Sequence, residues 1–180
     1  PIIALLPGSR KQEIKKMLSI MLKMANKFTD YEFVIAGAPS QDYEFYKPFI
    51  KQKNVQFISK KTYDLLSVSY AAIVTSGTAT LETALFKVPE IVCYKGSWIS
   101  YQIGKRLVNI KYISLVNLIM DKEVVKELIQ DEFNEKTLEI ELHKILEDKK
   151  REELFLNYFE LEKKLGGKGA SKKVAELICK

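Results

Sequence analysis

The sequence predicts an α/β domain whose parallel sheet is covered by helices on both faces, and three observations predict it. Short apolar runs alternate with stretches of helical spacing, at lengths that suit βαβ units. The runs lack the period-two alternation of a half-exposed strand, so they belong to strands buried on both faces. Two of them end in small-residue turns that lead directly into a helical pattern.

Each element follows in order. Ile2 to Leu6 is an apolar run closed by Pro7-Gly8, a strand and a turn. Ile14, Leu18, Met21, Leu22, Ala25 and Phe28 then form one apolar helical face, with Lys15, Lys16, Lys23 and Lys27 elsewhere. Tyr31 to Ala36 reads as the second strand, stopped by Gly37-Ala38-Pro39. Tyr43 to Lys51 is helical, with an interruption near Pro48. Val55 to Ile58 is the third strand and Thr62 to Ser69 a short helix. Ala71 to Val74 is the fourth strand, running through Ser76-Gly77 into a helix from Thr78 to Phe86. Glu90 to Tyr94 is the fifth. Trp98 to Val108 has helical character and Tyr112 to Val116 reads as extended. Beyond Lys122 the pattern is nearly all helix, with apolar Leu138, Leu142, Ile145, Leu146, Leu154, Phe155, Tyr158 and Leu161. Leu165-Gly166-Gly167-Lys168-Gly169 breaks it before a last helix from Ala170 to Ile178. The whole is a doubly wound, Rossmann-like pattern, whose ligand belongs at the carboxyl ends of the strands, near a topological switch point.

Composition narrows the classes. Hydrophobic residues make up 47% and charged residues 29%, a globular balance that excludes a disordered chain. No apolar run approaches the roughly 18 residues that a membrane span requires. The chain opens on a strand without an initiator Met, which reads as a piece of a longer protein. Cys93 and Cys179 stand far apart, so a reducing compartment is expected. The single histidine, His143, has no cysteine cluster beside it and no metal site is expected. The net charge of +6 favours an anionic partner. Runs such as Lys149-Lys150-Arg151 followed by Glu152-Glu153 are ordinary solvated helix faces, and no RNA- or DNA-binding motif accompanies the charge. Nucleic acid is therefore not the expected partner.

Two constellations carry chemistry. In Leu5-Leu6-Pro7-Gly8-Ser9-Arg10 a strand passes through a glycine turn into a helix, with Glu13-Ile14 in its first turn. Free N–H groups and the helix dipole favour an anion there. Gly8 lets the backbone come close, and Arg10 can make a bidentate contact to a phosphate. As a plain turn, the same residues would give an N-cap at Ser9 and a surface arginine. In Thr75-Ser76-Gly77-Thr78-Ala79-Thr80-Leu81-Glu82 the geometry repeats. Small side chains bare the amides of Thr78 and Ala79, and Ser76, Thr78 and Thr80 add hydroxyls. Glu82, one helical turn in, can accept the two hydroxyls of a ribose; alternatively it closes a capping box. Two such turns in one sheet point to a nucleotide.

The motifs Leu-Leu-Pro-Gly-Ser-Arg at 5–10 with Glu13-Ile14, Ser-Gly-Thr-Ala-Thr-Leu-Glu at 76–82, and Pro89 before a strand resemble the lipid-A-disaccharide synthase family. So do Tyr112-Ile113-Ser114-Leu115-Val116-Asn117, Glu127-Leu128-Ile129-Gln130 and the glycine-rich stretch from Gly166 to Ser171. Val116 departs from the pattern, which has Pro before the Asn. The resemblance implies the C-terminal domain of a two-domain GT-B glycosyltransferase. Residues 1–150 would form the UDP-sugar donor domain and 151–180 a helical C-terminal tail. It implies inverting transfer of 2,3-diacylglucosamine from UDP-2,3-diacylglucosamine to 2,3-diacylglucosamine 1-phosphate, in lipid A biosynthesis, with no cofactor and no metal. Gly8, Ser9, Arg10, Ser76, Gly77, Thr78 and Ala79 would face the diphosphate and Glu82 the ribose. Asn117 and Gln130 would be further donor contacts. The catalytic base is expected in an N-terminal domain upstream, so the catalytic set within this chain is empty and the chain alone is expected to be inactive. A bacterial cytoplasmic enzyme peripheral on the inner membrane is implied; a homodimer is left open. Lys105, Arg106 and Lys111, flanking Trp98, Ile99, Tyr101, Ile103, Leu107 and Val108, form a candidate membrane-contact helix. Other readings stay open from the residues: a peptidoglycan N-acetylglucosaminyltransferase or 2-epimerase type of GT-B enzyme, or a nucleotide-binding module without chemistry.

Overall fold

The computed structural model describes residues 1–96 and 111–166. The expected helices at Trp98–Val108 and Ala170–Ile178, with Lys105, Arg106, Cys179 and most of the glycine-rich stretch, lie outside the described residues.

Strands β1 (Ile2–Leu6), β2 (Glu32–Gly37), β3 (Val55–Ser59), β4 (Ser69–Thr75), β5 (Glu90–Tyr94) and β6 (Lys126–Ile129) form one sheet in the order β3-β2-β1-β4-β5-β6. Every neighbouring pair is parallel. The chain leaves β1 toward one edge and returns past it to build the other half, so the order reverses between β1 and β4, the switch point of a doubly wound sheet.

Alternate residues of β1, β2 and β4 feed different layers. Ile3 and Leu5 enter a large core with α1 (Lys11–Met21), α6 (Glu135–Leu146) and α7 (Asp148–Lys164). Ala4 and Leu6 enter a smaller one with Leu65 and Leu66 of α3 (Thr62–Val68). Both faces are therefore dry, which is why the strand sequences do not alternate with polar residues. Remaining helices are α2 (Tyr43–Tyr46), continued as a 3₁₀ turn through Pro48, α4 (Thr78–Leu85) and α5 (Leu115–Met120).

The apolar face anticipated from Ile14 to Phe28 is buried, with its last third in a 3₁₀ turn at Met24–Asn26. Helix α7 is joined to the sheet body. Its stripe of Leu154, Tyr158 and Leu161 completes the large core. The Arg151 guanidinium stacks on the Tyr70 ring at 3.5 Å and donates to the Tyr70 carbonyl at 2.7 Å.

Two expectations are corrected. Tyr112–Val116 is not extended: Ser114 caps α5 by accepting the Asn117 N–H at 3.2 Å, and the helix begins at Leu115. A serine three residues ahead of a buried amide is an N-cap, and local capping decides over the apolar run. The stretch after Lys122 is not all helix, because Lys126–Ile129 pairs with Ile91–Tyr94 as β6. Four residues are too few for periodicity to separate strand from helix, and tertiary pairing to β5 decides.

Candidate functional site

A cleft of about 570 Å³ opens at the carboxyl ends of β1, β2, β3 and β4. Its walls are the four segments that leave those strands.

The first is Pro7-Gly8-Ser9. Gly8 holds φ at +97°, and a Cβ there would collide with the Glu13 carboxylate. Only glycine fits both demands. Glu13 Oε2 accepts the Ser9 N–H at 3.3 Å, so a carboxylate sits over the turn that would receive an anion. Arg10, not Ser9, is the N-cap residue of α1, and it provides no side-chain cap. Its guanidinium is exposed, outside the cleft wall, and has no partner among the described residues.

The second is Thr75 to Ala79, leading into α4. No side chain caps this helix, so the amides of Thr78 and Ala79 stay bare at its mouth. A Cβ on Gly77 would meet nothing within 4 Å, so the space above this backbone is open. The hydroxyls are less available than the sequence suggests. Thr80 is buried and donates to the Gly77 carbonyl at 2.8 Å, and Ser76 donates to the Ile113 carbonyl at 2.9 Å. Glu82 lines the cleft, and no hydrogen bond engages its carboxylate among the described residues, which rules out the capping box.

Two further walls escaped the sequence reading. Ala36 to Pro39 closes one side, with the Ala38 N–H donating to the buried Tyr46 hydroxyl at 2.9 Å. Burial pushes the Tyr46 hydroxyl above its ordinary pKa. Residues Lys60 to Asp64, between β3 and α3, close the other, with Lys60 in a left-handed conformation at φ 59°. Lys60 and Lys61 carry no ion pair among the described residues and bring positive charge to the cleft. The signal was present: Ser59-Lys60-Lys61-Thr62 is a third strand-to-helix turn, marked by charge instead of glycine.

Thus Gly8, Ser9, Ser76, Gly77, Thr78, Ala79 and Glu82 are gathered in one cleft, while Arg10, Asn117 and Gln130 stand outside its walls. Asn117 is fully buried and its amide is committed internally. Its Oδ1 accepts from Val124 N at 2.7 Å and Val125 N at 3.0 Å; its Nδ2 donates to the Val125 carbonyl and to Glu127, each at 2.8 Å. Gln130 follows β6 with φ 55°, and its buried Nε2 has no partner among the described residues. A strained backbone that holds an unpaired donor at the ligand end of a sheet is a recurrent feature of binding sites.

At the opposite end of β5, Glu90 is buried with both carboxylate oxygens unpaired among the described residues, and burial pushes its pKa well above the ordinary range. Among the described residues there is no cluster of three or more metal-ligating side chains, and no helix long and apolar enough to cross a membrane.

The family model for lipid-A-disaccharide synthetase matches residues 1–178. The lipid-A-disaccharide synthase of Persephonella marina is 40% identical over 98% of this chain and 50% of its own length. That of Syntrophus aciditrophicus is 39% identical over 96% of this chain and 47% of its own. The chain spans about half the length of these curated relatives. In fold it is similar to the glycosyltransferase SnogD from Streptomyces nogalater, with a TM-score of 0.54 at 20% identity, covering 89% of this chain and 39% of that one. The cleft at the switch point, its two glycine turns and these matches lead to one conclusion: the chain belongs to the lipid-A-disaccharide synthase family.

Proposed function

We propose that this chain is the donor-binding half of a lipid-A-disaccharide synthase. The whole protein then transfers 2,3-diacylglucosamine from UDP-2,3-diacylglucosamine to the 6-hydroxyl of 2,3-diacylglucosamine 1-phosphate, with inversion, and releases UDP. Residues 1–150 form the donor body in this reading, and 151–180 the helical C-terminal tail. The observation that carries the reading is the pair of backbone turns, Gly8-Ser9 and Gly77-Thr78-Ala79, on one cleft with the Glu82 carboxylate, which no hydrogen bond engages among the described residues.

The chain's own groups have distinct tasks. The amides of Ser9, Thr78 and Ala79 take the diphosphate, and Ser9 gives up Glu13 to do so. Arg10, without a partner among the described residues, reaches in to pair with a phosphate oxygen. As the glycosidic bond breaks, negative charge grows on the leaving UDP. Donors already fixed toward it lower the barrier without reorganising. Glu82 accepts the ribose hydroxyls. Gln130 offers its unpaired Nε2 to the nucleotide or sugar, while Asn117 acts from behind the site by holding the loop that follows α5. The base that takes the acceptor proton lies outside this chain. Both substrates being lipids, the enzyme works at the cytoplasmic surface of the inner membrane.

Calorimetric titration with UDP, UMP and uridine tests the reading. UDP is expected to bind more tightly than UMP, and the chain to bind donor without turnover. Equal affinity for UDP and UMP removes the diphosphate assignment, and no binding of any uridine nucleotide removes the donor site.

A further inference from the structure

The geometry points to Glu127 as a positioning residue for the cleft: from β6 it fixes the 113–114 backbone and, through Ile113 and Ser76, the turn at the mouth of α4. This deepens the reading of the cleft as a donor site and rests on it.

Glu127 is 9% exposed, and a carboxylate so far from water needs several donors to offset its lost hydration. It has three. Oε2 accepts the Ile113 N–H at 2.9 Å; Oε1 accepts the Ser114 N–H at 2.9 Å and Asn117 Nδ2 at 2.8 Å. Two successive backbone amides, one on each oxygen, form a two-point grip that sets both the position and the tilt of the peptide unit. A glutamine would keep the shape but turn an NH₂ group against an N–H donor. The arrangement therefore calls for a carboxylate.

The grip is passed on. The Ser114 N–H shares its peptide plane with the Ile113 carbonyl, so the grip on Ser114 sets that carbonyl where Ser76 Oγ donates to it at 2.9 Å, and the Ser76 N–H donates to the Cys93 carbonyl at 2.9 Å. Ser76 is thus pinned by its main chain to β5 and by its side chain to 113. The next residue, Gly77, has no packing neighbour where a Cβ would be, and α4 has no side-chain cap. Beyond Ser76 the turn is held from within the helix, where Thr80 donates to the Gly77 carbonyl through its N–H at 3.2 Å and its hydroxyl at 2.8 Å, so Ser76 is the last point before the bare amides of Thr78 and Ala79 that is anchored to β5 and to residue 113. A donor pair aimed at a ligand gains from being fixed beforehand, because less ordering remains to be done on binding. Glu127 therefore shapes the affinity of a site that it does not touch.

Glu127→Gln, Ser76→Ala and the double variant test this in the full 180-residue chain, read by UDP calorimetry and by amide hydrogen exchange without ligand. Each single change is expected to weaken UDP binding by about tenfold, the scale of one lost buried hydrogen bond, and the double variant by little more than either. Exchange gives the direction of the relay. Ser76→Ala should speed exchange at residue 76 and Thr80 while Ile113 and Ser114 stay protected; Glu127→Gln should speed all four. Multiplying effects on affinity, or unchanged exchange at 76 and 80 in Glu127→Gln, would show that Glu127 only supports α5 and would sink the inference. If Glu127→Gln does not fold, Ser76→Ala still decides, since unchanged exchange at Thr80 breaks the relay at its last link. If wild type fails to bind UDP, the donor reading falls, and the exchange pattern alone judges the positioning.

Discussion

Asn117 Nδ2 donates to Glu127 Oε1 at 2.8 Å, a bond between a short helix and the edge strand that the sequence places ten residues later. The same amide serves both Val124 and Val125, so one side chain closes the α5–β6 connection from within. Removing it as Asn117→Ala strands several buried groups, each costing about 1–3 kcal/mol. Urea denaturation should show a loss of at least about 3 kcal/mol. A loss below about 1 kcal/mol would mean that water replaces the amide without penalty.

Arg10→Ala should leave thermal stability unchanged, since nothing in the described fold depends on this guanidinium. It should weaken UDP binding by about tenfold or more, with a smaller effect on uridine. Calorimetry that finds wild-type UDP affinity in this variant removes Arg10 from the site.

Glu82→Gln should weaken UDP, because a carboxylate can accept both ribose hydroxyls and an amide oxygen only poorly does so. The companion measurement is the 2′,3′-dideoxy analogue of UDP. The variant and the wild type should bind it equally, as the partner of Glu82 is gone. A variant that loses the same factor for both nucleotides places Glu82 elsewhere on the ligand.

Glu90 makes stability depend on pH. Its pKa in the fold is raised by burial, so the folded chain holds this proton after the unfolded chain has lost it. The stability associated with it is full below the ordinary carboxylate value, about 4.3, and is lost as pH rises toward the folded value, at up to about 1.4 kcal/mol per pH unit. The nearby Cys93 thiol and Tyr158 hydroxyl are pushed up in turn, first by burial and then by the Glu90 charge. Glu90→Gln should therefore melt above wild type at pH 8, by several degrees, with the gap closing toward pH 4. A gap that is constant with pH means that Glu90 stays ionised or neutral across the whole range.

Strands β1 to β5 and both glycine turns were legible because their signals are local: β-rich apolar runs bounded by Gly, Pro and Ser. What could not be read depends on partners distant in the chain. Four residues at 126–129 become a strand only because β5 offers an open edge. Asn117 sits in Leu-Val-Asn-Leu-Ile-Met, where its polarity suggests a ligand; the fold supplies internal partners seven to ten residues away. Ser76 likewise reads as a free hydroxyl until Ile113, 37 residues on, arrives to accept it. The Lys60–Asp64 wall was missed because a lysine in left-handed conformation leaves no glycine in the sequence to mark the turn.

The clamp of Arg151 on Tyr70 spans 81 residues of chain. All six strands are made before α7, so the part of the sheet face that receives Leu154, Tyr158 and Leu161 waits uncovered during synthesis. Contacts of such separation form late, after the entropy of closing the intervening chain has been met. The nascent domain is then most prone to aggregation in the interval between β6 and the end of α7, and a ribosome stalled there would expose apolar surface that the finished protein never shows.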